Sequence, residues 1–112
     1  MNDTATPLHI DLLYFEGCPS YKRTQADLSE VLAAADLDVT LRLVEVQTPE
    51  QADALHFAGS PTVKVNGIDL EGYDGPGVLA CRVYQENGGK GCPSKALLER
   101  ALIAAGNSLE AR

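Results

Sequence analysis

A chain of 112 residues has room for one domain and not for two, and surface-to-volume scaling has such a chain bury roughly two thirds of the surface it exposes unfolded. At 45% hydrophobic and 22% charged residues the composition is that of an ordinary globular protein, which argues against disorder, collagen and coiled coil. Nine Lys and Arg against sixteen Asp and Glu leave a net charge of −7, with the acids spread along the chain, so neither nucleic acid nor an anionic membrane, both of which call for clustered positive charge, is an expected partner.

The longest uninterrupted apolar stretches, 31–35 and 101–105, are five residues each, against the ~20 that span a bilayer, and no membrane helix is expected. Positions 1–7 are polar and carry Asp3, with no basic start and no apolar stretch. They read as a disordered N-terminal segment and not as a secretory signal, which makes a cytoplasmic location the expectation. In a reducing compartment the three cysteines are thiols, and an odd number does not pair off within one chain.

Taken in chain order, Leu8, Ile10, Leu12 and Tyr14 alternate with His9, Asp11 and Leu13, the period of a strand with one face more apolar than the other. This first strand is expected to be central. After Gly17-Cys18-Pro19-Ser20 come Leu28, Val31, Leu32 and Ala35 at helical spacing, and Pro19 suits the first helical position because it has no N–H to leave unpaired. Val39, Leu41 and Leu43 alternate and run into Val44 and Val46 as a second strand. Pro49 then opens a short helix carrying Ala52, Leu55 and Phe57, ended by Gly59. Two further strands flank Asn66-Gly67, a hairpin signal because both central turn residues need positive φ. A glycine-rich stretch over 72–91 encloses one β-like piece, 79–84, to which the sequence assigns no role. The last helix runs from Pro93 to about Ala105, with Leu97, Leu98, Ala101, Leu102 and Ala105 on one face.

The order strand, helix, strand, helix, strand, strand, helix makes a parallel pair and an antiparallel pair. The expected fold is α/β, a mixed four-stranded sheet (β-α-β-α-β-β-α) with helices on both faces, over a single domain at 8–106 followed by a tail at 107–112.

Cys18 lies at the start of the first helix, where unpaired N–H groups and the positive end of the dipole favour a thiolate; Lys22 and Arg23 add to this and Glu16 opposes it. A thiolate there attacks a disulfide, an electrophile or a soft metal ion. The alternative is a small buried residue at a helix cap. Cys92 sits in Gly91-Cys92-Pro93-Ser94, which repeats Gly17-Cys18-Pro19-Ser20 and also precedes a helix, so it is either a second thiol of the same kind or a product of helix-start composition. His9 and His56 read as structural or surface residues. With no Cys-x-x-Cys pair, a zinc site is not expected.

Tyr14-Phe15-Glu16-Gly17-Cys18-Pro19-Ser20-Tyr21 at the end of a strand, followed later by Gly59-Ser60-Pro61-Thr62-Val63, resembles the thioredoxin and glutaredoxin superfamily. Together with Cys81-Arg82-Val83-Tyr84, the set is similar to a group of small bacterial thioredoxin-like proteins of uncertain role, some loosely labelled as related to alkylmercury lyase. The resemblance covers residues 8 to 105. It implies a thioredoxin-like fold, a catalytic Cys18, and a cis Pro61 against Cys18 whose neighbouring edge, with Ser60 and Tyr21 beside it, binds substrate.

Tyr21 stands where dithiol members carry a second cysteine, so the motif is monothiol. A resolving thiol then comes from Cys81, from Cys92, or from glutathione or another low-molecular-weight thiol as co-substrate. In the family arrangement the strand directions bring the ends of both later segments toward Cys18, and Cys81 is the expected partner on oxidation.

Glu71-Gly72-Tyr73-Asp74 is a partial match to a glutathione clamp, and Gly75-Pro76-Gly77 is a turn. Tyr14, Tyr21 and Tyr84 either wall a thiol pocket or serve packing. Three functions are open: thiol–disulfide exchange or capture of a thiol-reactive species by Cys18, acting on a protein disulfide or a small thiol or electrophile; a non-catalytic binding module using the Pro61 edge; and soft-metal (mercury) handling by Cys18 and Cys81. Cys18 is expected to alkylate fastest near neutral pH. No tightly bound cofactor or resident metal is expected.

Overall fold

Alternation along the first apolar segment produces β1 (Leu8–Tyr14), in which Leu8, Ile10 and Leu12 face one layer and Leu13 the other. The computed structural model describes residues 8–18, 20–35 and 39–110. β1 leads into α1 (Ser20–Ala35), β2 (Val39–Glu45), α2 (Pro49–Ala54), β3 (Thr62–Val65), β4 (Ile68–Asp69), a 3-10 turn at Gln85–Asn87 and α3 (Lys95–Glu110). Pro19 and the N-terminal segment 1–7 lie outside the described residues.

The sheet is mixed, in the order β2-β1-β3-β4, with β1 parallel to β2 and antiparallel to β3, and β3 antiparallel to β4. β1 is therefore central, as its apolar alternation requires. α1 and α3 cover one face, where Leu28, Val31, Leu98 and Leu102 pack on Ile10, Leu12, Val63 and Val65. α2 and the segment after it cover the other, where Ala52 and Phe57 pack on Leu13 and Val46. The α/β fold, the element order and helices on both faces agree with the sequence reading.

The turn between β3 and β4 has Asn66 at φ 52° and Gly67 at φ 84°, the two positive values that the Asn-Gly pair is suited to supply. Asn66 also extends the pairing of β3 with the central β1, since its N–H donates to His9 O at 2.7 Å and its Oδ1 accepts from His9 N–H at 2.9 Å.

Three boundaries differ from expectation. α2 stops at Ala54, short of Gly59, because His56 takes φ 52° and turns the chain so that Phe57 inserts into the core. α3 begins at Lys95 and not at Pro93: Ser94 Oγ accepts the Leu97 N–H at 3.1 Å while its own N–H and hydroxyl donate to Glu86, so Ser94 works as the cap. α3 also runs to Glu110, so positions 107–110 of the expected tail continue the helix and 111–112 lie outside the described residues. Among the described residues no helix is long and apolar enough to cross a membrane.

Candidate functional site

Cys18 follows the end of β1 and precedes α1; its N–H closes a turn onto Phe15 O at 2.9 Å. That turn buries the side chain to 3% exposure and aims Sγ at Ser60, with the thiol donating to Ser60 O at 3.6 Å. The Ser60–Pro61 bond is cis, and both residues are buried.

The β-like piece at 79–84 finds its role here. Ser60 pairs in parallel with Cys81: Ser60 N–H donates to Ala80 O at 2.8 Å and Arg82 N–H donates to Ser60 O at 2.9 Å. One step earlier Val78 N–H donates to Phe57 O at 2.9 Å, so residues 78–82 form an extra extended segment along 57–60. The approach is close enough to require glycine at 59, which has φ +109° and where a Cβ would lie 3.0 Å from Arg82 Cβ and 3.1 Å from Ala80 O. The backbone edge at Ser60, which the sequence reading reserves for a bound peptide, is filled by the chain itself.

Side chains of this segment alternate. Arg82 and Tyr84 point into the protein, while Cys81 and Val83 are exposed. Buried Arg82 makes a two-pronged contact with buried Asp69, Nη1 to Oδ1 at 2.7 Å and Nη2 to Oδ2 at 2.9 Å, and reaches Thr62 Oγ1 and Glu71 Oε1 as well. Its guanidinium lies 4.4 Å from the centroid of the Tyr84 ring, and the Tyr84 hydroxyl donates to Pro61 O at 2.6 Å. Burial pushes the Asp69 pKa upward, but the hydrogen bond and charge of Arg82 and the N–H groups of Glu71 and Tyr73 outweigh it and hold the carboxyl below its ordinary range. Burial pushes the Tyr84 phenol well up, so it stays a neutral donor to Pro61 O.

Cys81 is thereby fixed beside Cys18. Its pKa is raised, first by its hydrogen bond with the Cys18 side chain and then by local desolvation and the charge of Cys18. Cys18 in turn donates to the carbonyl of Ser60, the residue whose backbone pairs with Cys81. All three cysteines are free thiols. Cys81 is exposed and Cys18 is buried.

The other candidates are placed as follows. Tyr21 stacks on Tyr14, with centroids 4.2 Å apart, and its hydroxyl donates to Glu16 at 3.0 Å. Cys92 is half-buried in a separate recess of about 340 Å³ shared with Arg23, Asp27 and Lys90. The stretch after β4 spends its N–H groups on Asp69 Oδ2, from Glu71 at 2.8 Å and Tyr73 at 3.2 Å, so those groups are not free to clamp a ligand. His9 is exposed on β1, and His56 is exposed with Nδ1 2.9 Å from Gly75 O. Gly77 closes the turn against α2, its N–H donating to Asp53 Oδ1 at 3.2 Å. Among the described residues no group of three or more His, Cys, Asp or Glu side chains is placed to hold a metal ion.

Sequence reasoning missed Arg82 and Asp69. The available signal was a charged residue between Cys81 and Tyr84 in an otherwise β-like piece, which must find a carboxylate if it faces inward.

No family model matches the chain. No curated protein matches it either.

Proposed function

We propose that the protein carries out thiol–disulfide exchange, with Cys18 and Cys81 as its redox pair. The observation that carries this reading is the parallel bridge between Ser60 and Cys81, which sets the Cys81 thiol against a Cys18 thiol already aimed at Ser60 O. Tyr21 offers no sulfur to resolve a mixed disulfide at Cys18, whereas Cys81 does.

The motif resemblance to the thioredoxin and glutaredoxin superfamily agrees with this placement of a cysteine at a helix start opposite Pro61. The binding-module reading is disfavoured, because both backbone groups of Ser60 are already paired within the chain. Soft-metal capture remains a second reading, favoured by the same two adjacent sulfurs, since thiolates select soft ions.

Mild oxidation of the reduced chain followed by peptide mapping tests the proposal. A Cys18–Cys81 disulfide with Cys92 left as a thiol is the expected product. Recovery of Cys81 with Cys92, or of Cys18 only as a small-thiol adduct, would overturn it.

A further inference from the structure

Building on the pairing of Cys18 with Cys81, we propose that Cys81 is the sulfur that meets the substrate, that Cys18 resolves, and that the substrate is a small disulfide without net negative charge. Three features of the site carry this assignment.

The first is access. Cys18 is 3% exposed, while Cys81 is exposed and opens into a groove of about 460 Å³ whose lining does not include Cys18. An attacking thiolate must line up with the S–S bond it breaks, and of the two sulfurs only Cys81 is open to a disulfide arriving from solvent.

The second is the filled edge. An extended peptide docks by pairing its backbone with an unpaired strand edge. At Ser60 the N–H and C=O are held by Ala80 and Arg82, and that segment is anchored by Arg82 on Asp69 and by Tyr84 on Pro61 O. A peptide would have to displace all of these contacts. A small disulfide needs none of them, and the groove alone admits it.

The third is charge. Arg82 and Glu71 bring one positive and one negative charge to the groove lining, and the Arg82 charge is further offset by the buried Asp69 carboxylate, in a chain whose net charge is −7. The other groove walls, Ala58, Tyr73 and Val83, carry no charge. An anionic disulfide is repelled and a neutral or cationic one is not.

The chemistry balances in two steps. Cys81 thiolate attacks the substrate R–S–S–R, forming Cys81–S–S–R and releasing one R–S⁻. Cys18 thiolate then attacks Cys81 Sγ, forming the internal disulfide and releasing the second R–S⁻. The two protons lost by the cysteines end on the two released thiols, so the substrate gains two electrons and the pair loses two. A low-molecular-weight thiol in excess returns the pair to the reduced state.

Reduced chains carrying Cys92→Ser, alone and with Cys18→Ala or Cys81→Ala, are mixed with cystamine, bis(2-hydroxyethyl) disulfide, glutathione disulfide or an extended peptide bearing a disulfide-linked cap, and the adducts are mapped by mass. The Cys18→Ala chain should hold a stable adduct at Cys81, and Cys18 in the Cys81→Ala chain should react about tenfold more slowly. The Cys92→Ser chain should pass through a Cys81 adduct to the internal disulfide. Cystamine and the hydroxyethyl disulfide should outpace glutathione disulfide at low salt, and the peptide should be slowest.

Equal rates for Cys18 and Cys81 overturn the order of the thiols. A peptide that reacts as fast as the small disulfides, or glutathione disulfide reacting fastest, overturns the substrate class. In those cases an internal disulfide in the Cys92→Ser chain leaves the Cys18–Cys81 pairing standing; its absence overturns the pairing and this proposal together. A quenched time course on the wild-type chain, reading whether the first adduct maps to Cys81, decides the order even where a variant fails to fold.

Discussion

The Arg82 guanidinium meets the Asp69 carboxylate with both prongs, at 2.7 and 2.9 Å, and both side chains are almost wholly buried. This contact pins the segment that carries Cys81 to the end of β4. Removing one partner leaves the other buried with only its secondary contacts, Glu71 for Arg82 and the Glu71 and Tyr73 N–H groups for Asp69, which costs up to about 3–5 kcal/mol. Asp69→Asn and Arg82→Met should each lower unfolding stability by that order in a denaturant titration, and should also raise hydrogen exchange at the Arg82 amide, which donates to Ser60 O. Unchanged exchange there would show that the ion pair does not hold the segment.

The same pair sets an acid limit. The Asp69 pKa in the folded protein lies below its ordinary 3.8, so the folded state binds this proton less tightly than the unfolded state. Its contribution is complete above the ordinary value and is lost as pH falls through the lower, folded value. Thermal unfolding followed from pH 6 down to about pH 2 should show stability falling in that window, with a shallower fall in Asp69→Asn.

Ser60 acts through its backbone. Its Oγ is buried and has no hydrogen-bond partner among the described residues, and an unsatisfied buried hydroxyl costs about 1–3 kcal/mol. Ser60→Ala should leave stability unchanged or raise it by about 1 kcal/mol, and should leave formation of the Cys18–Cys81 disulfide intact. A marked loss of stability would mean that the hydroxyl has a structural partner.

Gly59 holds φ +109° where residues 80–82 pass closest. Gly59→Ala should cost more than about 1 kcal/mol, through the strained φ and the contact with Arg82 Cβ. It should also slow disulfide formation, since the Cys81 segment is pushed from Ser60. Wild-type stability and rate in this variant would place the close approach in doubt.

Cys81 is raised in pKa chiefly by its hydrogen bond with Cys18. Cys18→Ala removes that bond and the accompanying charge, so a larger fraction of Cys81 is thiolate at any pH below its ordinary value. Its alkylation at pH 8 should accelerate, and the midpoint of its rate against pH should move down. No movement would show that the two thiols do not share a proton.

Most of the fold was legible because its signals are local. The alternation in β1, the Pro49 helix start and the Asn66-Gly67 turn each depend on a few adjacent residues. The segment at 78–82 was not legible, for two physical reasons. Its partner is Ser60, some twenty residues away in the chain, and its inward positions are held by Arg82 and Tyr84, so an apolar-alternation reading turns the strand inside out. The early end of α2 was hidden in the same way, since Phe57 has helical spacing but is buried after a left-handed turn at His56. Of the candidate site, the motifs single out Cys18, Pro61 and Cys81, whereas the relative access of the two thiols is set by the tertiary packing around them.

The most direct test of the central claim is the stoichiometry of oxidation at equilibrium. The Cys92→Ser chain is held in a series of glutathione redox buffers, and free thiols and bound glutathione are counted per chain. The account predicts that both remaining thiols disappear together in one two-electron transition with no glutathione bound. Loss of one thiol with one glutathione gained per chain would contradict it, leaving each cysteine to act alone.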